Sequence, residues 1–292
     1  MKKIFYVILT LLIFVSCANA VNRRVLKLGI LTKLNSTEEQ FSEIWKKTFA
    51  PNNENLEIIV RFYDSLMAMQ MALNAGEVQE IVLPEESAEY LINQNPNYEA
   101  TLVLKTKGMG LSFGFREDRS ELLKKFNDAL MSLKGNWTLG VLEGIYIASP
   151  GVDDPEPVKF EKFEGAETIR VAVTGDLPPI DFMAADGTPA GFNTAVLSEV
   201  GSYLHQNIEL VSVEAGARTA SLASGRADVV FWYEVDTSST IQPDVPEGII
   251  LSDPYYEWNK FIHVRKKIRQ SKDSGWSFND IKNGILDFYL AR

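Results

Sequence analysis

LMAMQMALNAGEVQEIVL, Leu66 to Leu83, and GARTASLASGRADVVFW, Gly216 to Trp232, follow one local plan. Each has a helical stretch carrying A-L or S-L-A, then a glycine, Gly76 or Gly225, then a short apolar run. Glycine commonly ends a helix because it accepts the left-handed backbone found there. An apolar run of four to eight residues bounded by turn signals is strand length. The pair predicts two similar α/β units in one chain, with a ligand between them.

The surroundings of each unit agree with an α/β class, in which strands alternate with helices. Around the first, strands are expected at Val25 to Leu31, Leu56 to Tyr63 and Val78 to Leu83. Asn35 or Ser36 is expected to cap a helix running through Thr48, with Glu38 and Glu39 in its first turn. Asp64 or Ser65 caps Leu66 to Asn74, and Ser87 to Asn93 is a short helix. Leu102 to Lys105 and Leu111 to Phe115 read as separate strands, and Ser120 to Leu133 as an amphipathic helix. Around the second unit, strands are expected at Ile169 to Thr174, Ile208 to Val213, Asp228 to Tyr233 and Phe261 to Arg265. Helices are expected at Thr194 to Leu204, capped by Asn193 or Thr194, at Arg218 to Ser224 and at Phe278 to Tyr289. Between the units, SPGVDDPEPVK, Ser149 to Lys159, has three prolines and three acids and cannot hold a regular element.

The N-terminus has the layout of a secretory signal peptide: Lys2 and Lys3, an apolar run from Ile4 to Val15, then SCANA, Ser16 to Ala20. Cleavage after Ala20 frees a chain from Val21; alternatively Val15-Ser16-Cys17 acts as a lipoprotein box and Cys17 anchors the protein through lipid. Either route places the protein outside the cytoplasm, in the periplasm or extracellular space. Cys17 is the only cysteine, so no disulfide is expected. Losing residues 1–20 removes two lysines and no acid, leaving 27 basic against 39 acidic side chains. That balance argues against nucleic acid and anionic membrane surfaces as partners. Two histidines and no Cys/His cluster leave no recognisable metal-ligand spacing, and no cofactor is expected.

Three segments of the second unit, in order, resemble a known family: IRVAVTGDLPPIDFMAADGTPAGFN (Ile169 to Asn193), ARTASLASGRADVVF (Ala217 to Phe231) and DVPEGIILSDPYYEW (Asp244 to Trp258). They are similar to the first lobe of the bacterial extracellular solute-binding proteins, family 3, which serve amino-acid-type ABC importers. YDSLMAMQMALNAGEVQEIVLPEESAEYLINQNP (Tyr63 to Pro96) and GLSFGFREDRSELLKKFNDALMSLK (Gly110 to Lys134) resemble that family's second lobe and its return to the first. WSFNDIKNG, Trp276 to Gly284, looks like the family's entry into the second lobe.

The resemblance implies a two-lobed, type II periplasmic-binding-protein-like fold, each lobe a mixed sheet flanked by helices, with the ligand cleft between. It also implies a circularly permuted order; a fragment of a tandem repeat or a lobe-exchanged dimer is the alternative. The organisation expected is a signal peptide at 1–20, a second-lobe-like unit at 21–115, a returning helix at 116–148 and a linker at 149–167. A first-lobe-like unit comes next at 168–257, and a crossover strand with a C-terminal segment at 258–292.

Ligand groups are then expected on loops facing the cleft. Asp176 and Asp181, in TGDLPPIDF, either accept from a ligand ammonium or cap backbone N–H groups of their own turn. Phe182 is the nearest aromatic. Trp232 and Tyr233, at the end of a strand, either stack on the ligand or pack in the core. Arg218 either reaches a ligand carboxylate or lies on the surface. Ser36 and Thr37, with the N–H groups of the helix they open, form a carboxylate site or an ordinary cap. Glu85 is the candidate for a ligand amine, because Pro84 occupies the position where the family carries an acid. Glu234 to Gly248 contains no arginine, whereas the family's carboxylate-binding Arg comes after this strand. Both departures point away from a standard α-amino acid. The function expected is capture of a small polar solute by hinge closure for an ABC importer, by a monomer or a lobe-exchanged dimer, without catalysis. A sensor or co-receptor that has lost its ligand is the alternative, and an enzyme on the same fold a more distant one.

Overall fold

A computed structural model describes residues 24–148, 156–184, 186–236 and 244–267, without the side chains of residues 106, 107, 232–236 and 259. The expected signal peptide with Cys17 and Ala20, the residues 149–155 of the linker and the helix at Phe278 to Tyr289 lie outside the described residues.

The strands are β1 (Arg24–Leu31), β2 (Leu56–Tyr63), β3 (Glu80–Pro84), β4 (Tyr98–Arg116), β5 (Thr168–Val173), β6 (Asp176–Leu177), β7 (Asp181–Met183), β8 (Pro189–Ala190), β9 (Asn207–Ser212), β10 (Val229–Asp236), β11 (Ile249–Leu251) and β12 (Tyr256–Lys266). The helices are α1 (Glu38–Phe49), α2 (Leu66–Ala75), α3 (Glu85–Gln94), α4 (Ser120–Gly135), α5 (Thr138–Tyr146), α6 (Phe192–Leu204) and α7 (Arg218–Ala223). Nine strands form one sheet in the order β2-β1-β3-β12-β4-β10-β5-β9, with β11 also paired to β4; β6, β7 and β8 form a small second sheet. The expected α/β class is what the structure has. The two mixed sheets expected of separate lobes are fused into one.

The fusion is made by two long strands. β4 is one 19-residue strand where the sequence suggested two. Its first part pairs antiparallel with β12 from Tyr98↔Lys266 to Lys105↔Lys260, within the β1–β3 half. Its last part pairs with β10 and β11, within the β5–β9 half. Between these parts the register slips: β12 passes from Trp258 to Lys260 while β4 passes from Met109 to Lys105. Gly108 lies in that slip with φ of +69°, a conformation that glycine adopts without a Cβ penalty. A slipped register leaves ladder bonds unmade, which allows a strand pair to bend there.

Local chemistry explains most elements. Thr37, not Asn35 or Ser36, caps α1: its side chain accepts from Gln40 N while Gln40 Oε1 accepts from Thr37 N, a capping box. Glu38 and Glu39 open α1 and Lys46 and Lys47 close it, signs that suit the helix dipole. Ser65 caps α2, which buries Leu66, Met69, Ala72 and Leu73 and leaves Met67 and Met71 exposed. α6 starts earlier than expected, with Gly191 as its N-cap. Asn193 and Thr194, expected caps, are instead buried in its first turn, and Asn193 Oδ1 accepts from the Tyr255 hydroxyl at 3.0 Å. α5 was not foreseen; only Leu139 and Leu142 are buried from it.

The main core runs through both halves, from Leu66, Met69 and Leu83 through Tyr98, Phe113 and Phe126 to Val171, Val200 and Phe231. A second cluster lies between α1 and the β1–β2 face, around Leu28, Ile58 and Val60. A third, Ala172, Leu222, Ala227 and Val230, lies between α7 and β5–β10.

Candidate functional site

β1, β2 and β3 run parallel in one half, and β5, β9 and β10 run parallel in the other. Loops beyond the C-terminal ends of parallel strands are where open α/β sheets bind ligands. Here those loops from the two halves meet each other. Asp176, after β5, accepts through Oδ2 from Leu66 N, the first amide of α2, at 2.7 Å. Asp244 Oδ1 accepts from Leu34 N at 2.7 Å and Asn35 N at 3.0 Å, in the loop after β1. Asp64, after β2, accepts from Gly216 N through Oδ1 at 3.2 Å and from Ala215 N through its carbonyl at 3.4 Å. The Leu34 side chain packs against the α7 cluster of the opposite half, alongside Val213 and Val245. At Gly216 a Cβ atom would lie 3.1 Å from Asp64 Oδ1 and 3.6 Å from Thr32 Cγ2, so glycine lets the loops approach.

The sequence candidates fall around this seam. Asp181 is buried and accepts from Thr174 N, Thr174 Oγ1 and Gly175 N at 3.1, 2.8 and 3.0 Å, so it organises its own turn. Burial raises its pKa, against the pull of those donors and of the Arg218 charge. Asp176 is pushed up to about 6, chiefly by burial, then by the negative charges of Asp181 and Glu214. Phe182 is half-buried in β7, paired with Asp176 and Ala190. Arg218 is 5 % exposed and its Nε donates to Ala215 O at 2.9 Å, so of its two expected positions the surface one is corrected. Trp232 and Tyr233 belong to β10, with their side chains outside the described residues. Thr37 spends its side chain on the α1 cap, and Ser36 lies half-buried beside it.

Glu85, first residue of α3, forms an ion pair with Lys260 on β12. Its neighbour Glu86 is buried, with Oε1 accepting from the Tyr256 hydroxyl at 2.5 Å and Oε2 without a hydrogen bond in the structure. Burial raises the Glu86 pKa. Asp244, Asp64 and Leu34 were not singled out from the sequence as contacts. Asp244 sits in the proline-flanked stretch QPDVPEG, whose acid was the available signal.

A hollow of about 490 Å³ lined by Phe160, Phe163, Thr168, Asn207 and Ile208 lies at the opposite, N-terminal ends of β5 and β9. Among the described residues no group of His, Cys, Asp and Glu is placed to hold a metal ion, and no helix is long and apolar enough to cross a membrane.

Residues 169–287 match the sequence model of the bacterial extracellular solute-binding proteins, family 3. The chain therefore resembles that family over the β5–β9 half, the crossover strand and some twenty residues beyond it. No curated protein matches the chain in sequence. Among solved structures, the methionine-binding protein MetQ is 13 % identical with a TM-score of 0.44, over 90 % of this chain and 89 % of its own. A ligand-binding component of an ABC-type import system from Staphylococcus aureus is 11 % identical, with a TM-score of 0.43, over 91 % and 72 %. The OxyR regulatory domain from Pseudomonas aeruginosa is 10 % identical, with a TM-score of 0.42, over 92 % and 98 %. These likenesses define no function.

Proposed function

We propose that this protein is an exported solute-binding protein that closes two lobes on a small polar solute and delivers it to an ABC importer. The observation that carries the reading is the meeting of two sets of parallel-strand ends across β4 and β12, in a chain whose residues 169–287 match a solute-binding family. Closure bends the sheet at the register slip around Gly108 and Trp258 to Lys260. The solute lies between the loop carrying Ser36 and Thr37, the Asp176 to Phe182 turn, the β10 end with Trp232 and Tyr233, and Glu85, beside the turn that Arg218 holds. Catalysis forms no part of this reading.

The lobe order is a circular permutation: the chain enters the second-lobe-like half at β1, crosses by β4, and returns by β12 beside β3. Its test is a rearranged chain opened within 149–155 and joined from its C-terminus to Val21, which should fold with unchanged stability.

A thermal-shift screen of the purified protein against amino acids, short peptides and organic acids tests the solute reading. A solute at a hundred times its Kd adds about 2.7 kcal/mol of stability, a rise of several degrees. A flat screen favours the second reading, a sensor or co-receptor without its own solute. One observation supports that alternative: carboxylates of the β5–β9 half already occupy N–H donors of the β1–β3 half.

A further inference from the structure

We infer that the cleft is latched shut without solute by the protein's own carboxylates, with Asp176 and Asp244 standing on the N–H donors that an anionic solute needs. The inference rests on reading the seam between the halves as the solute cleft.

The donors themselves make the case. Leu66 is the first residue of α2, and the first amides of a helix have no acceptor within it. Ser65 serves Ala68 N, so it leaves Leu66 to another acceptor. Asp176, from the other half, is that acceptor. Leu34 and Asn35 present two successive amides to a single oxygen of Asp244, a concave pair of the kind that binds anions. Carboxylate acceptors form hydrogen bonds roughly twice as strong as neutral ones. Around these bonds the seam is also packed: Leu34 enters the α7 cluster, and Gly216 lies against Asp64 and Thr32. The Asp64 contact is exposed and the weakest member.

The arrangement has a chemical consequence. A solute carboxylate or phosphate entering the cleft competes with Asp176 and Asp244 for the same N–H groups. A cationic solute, having no acceptor to offer, leaves them in place. The latch therefore selects for anionic groups and weakens their apparent affinity by the free energy of opening, the cost of a scarcely populated competent state.

Amide hydrogen exchange on the purified protein with no solute added tests the latch. In the wild type, Leu34, Asn35, Leu66 and Gly216 should all be protected. In Asp64→Ala/Asp244→Ala, exchange should quicken by at least about tenfold at Leu34, Asn35 and Gly216, and also at Leu66, whose acceptor Asp176 is untouched. Should that variant fail to fold, Gly216→Leu, which wedges the seam with every carboxylate intact, should give the same pattern. Free exchange of these amides in the wild type, or acceleration confined to the amides whose acceptors were removed, overturns the latch. A latch lost while a solute still binds leaves the solute-binding reading standing; an intact latch with no solute bound leaves the co-receptor reading.

Discussion

Asp176 Oδ2 accepts a hydrogen bond from the Leu66 amide at 2.7 Å across 110 positions of sequence, from one half of the sheet to the other. The carboxyl group there is partly removed from water, and its pKa of about 6 has a measurable consequence.

Its ordinary value is 3.8, so folding raises it. A raised acid binds its proton more tightly in the folded state. Stability linked to Asp176 therefore grows as pH falls from about 6 towards 4, and is lost as pH rises through 6. The shift corresponds to about 2–3 kcal/mol against the folded state at pH 8. The Asp181 carboxyl is raised by burial in the same sense, and the charges of Asp181 and Glu214 both add to the repulsion at Asp176. Asp176→Asn keeps an acceptor for Leu66 and removes the charge. Urea unfolding at pH 5 and pH 8 should show the variant more stable than wild type at pH 8 and a smaller difference at pH 5. Equal slopes with pH in both proteins contradict this.

Arg218 is buried beside Asp181 and holds the Ala215 carbonyl. Arg218→Ala leaves the buried Ala215 carbonyl without its Arg218 donor, a loss of about 1–3 kcal/mol, and removes a charge that favours the ionised Asp181. The midpoint of urea unfolding should fall accordingly, whether or not a solute is present. A variant of native stability that has lost only solute affinity points instead to direct contact with the solute.

Tyr256 donates to Glu86 at 2.5 Å, where α3 meets the start of β12. Tyr256→Phe strips a buried carboxyl of its donor, which costs about 1–3 kcal/mol. Glu86→Gln in the same background should recover part of that loss, because the neutral amide is cheaper to bury. Thermal melts of the two single variants and the double should reveal non-additivity of about 0.5–3 kcal/mol; simple additivity removes the pair.

Leu34 places an apolar side chain among Val213, Val245 and the α7 cluster of the opposite half. Leu34→Ala removes about 1–2 kcal/mol of burial that exists only when the halves meet. Proteolysis of the native protein should accelerate at the loops after β1 and β9. An unchanged digestion rate argues that the halves do not depend on this contact.

Much of this architecture was readable in the residues. The paired helix–Gly–strand segments at Leu66 to Leu83 and Gly216 to Trp232 are α2–β3 and α7–β10. The cap of α1 was missed by one or two positions because Asn35, Ser36 and Thr37 are all good capping types; Gln40, three residues after Thr37, was the deciding signal. β4 reads as two strands because Thr106, Lys107 and Gly108 interrupt its apolar pattern at the crossing between halves. The seam was hidden for a different reason. Asp64, Asp176 and Asp244 lie far apart in sequence, so nothing in the chain alone shows that their acceptors are spent between the two halves.

The most direct measurement is small-angle X-ray scattering of the solute-free protein beside its Asp64→Ala/Asp244→Ala variant. A latched seam predicts a wild-type curve matching the closed arrangement of the two halves and a larger radius of gyration for the variant. Two superimposable curves, or a wild type already as extended as its variant, contradict it.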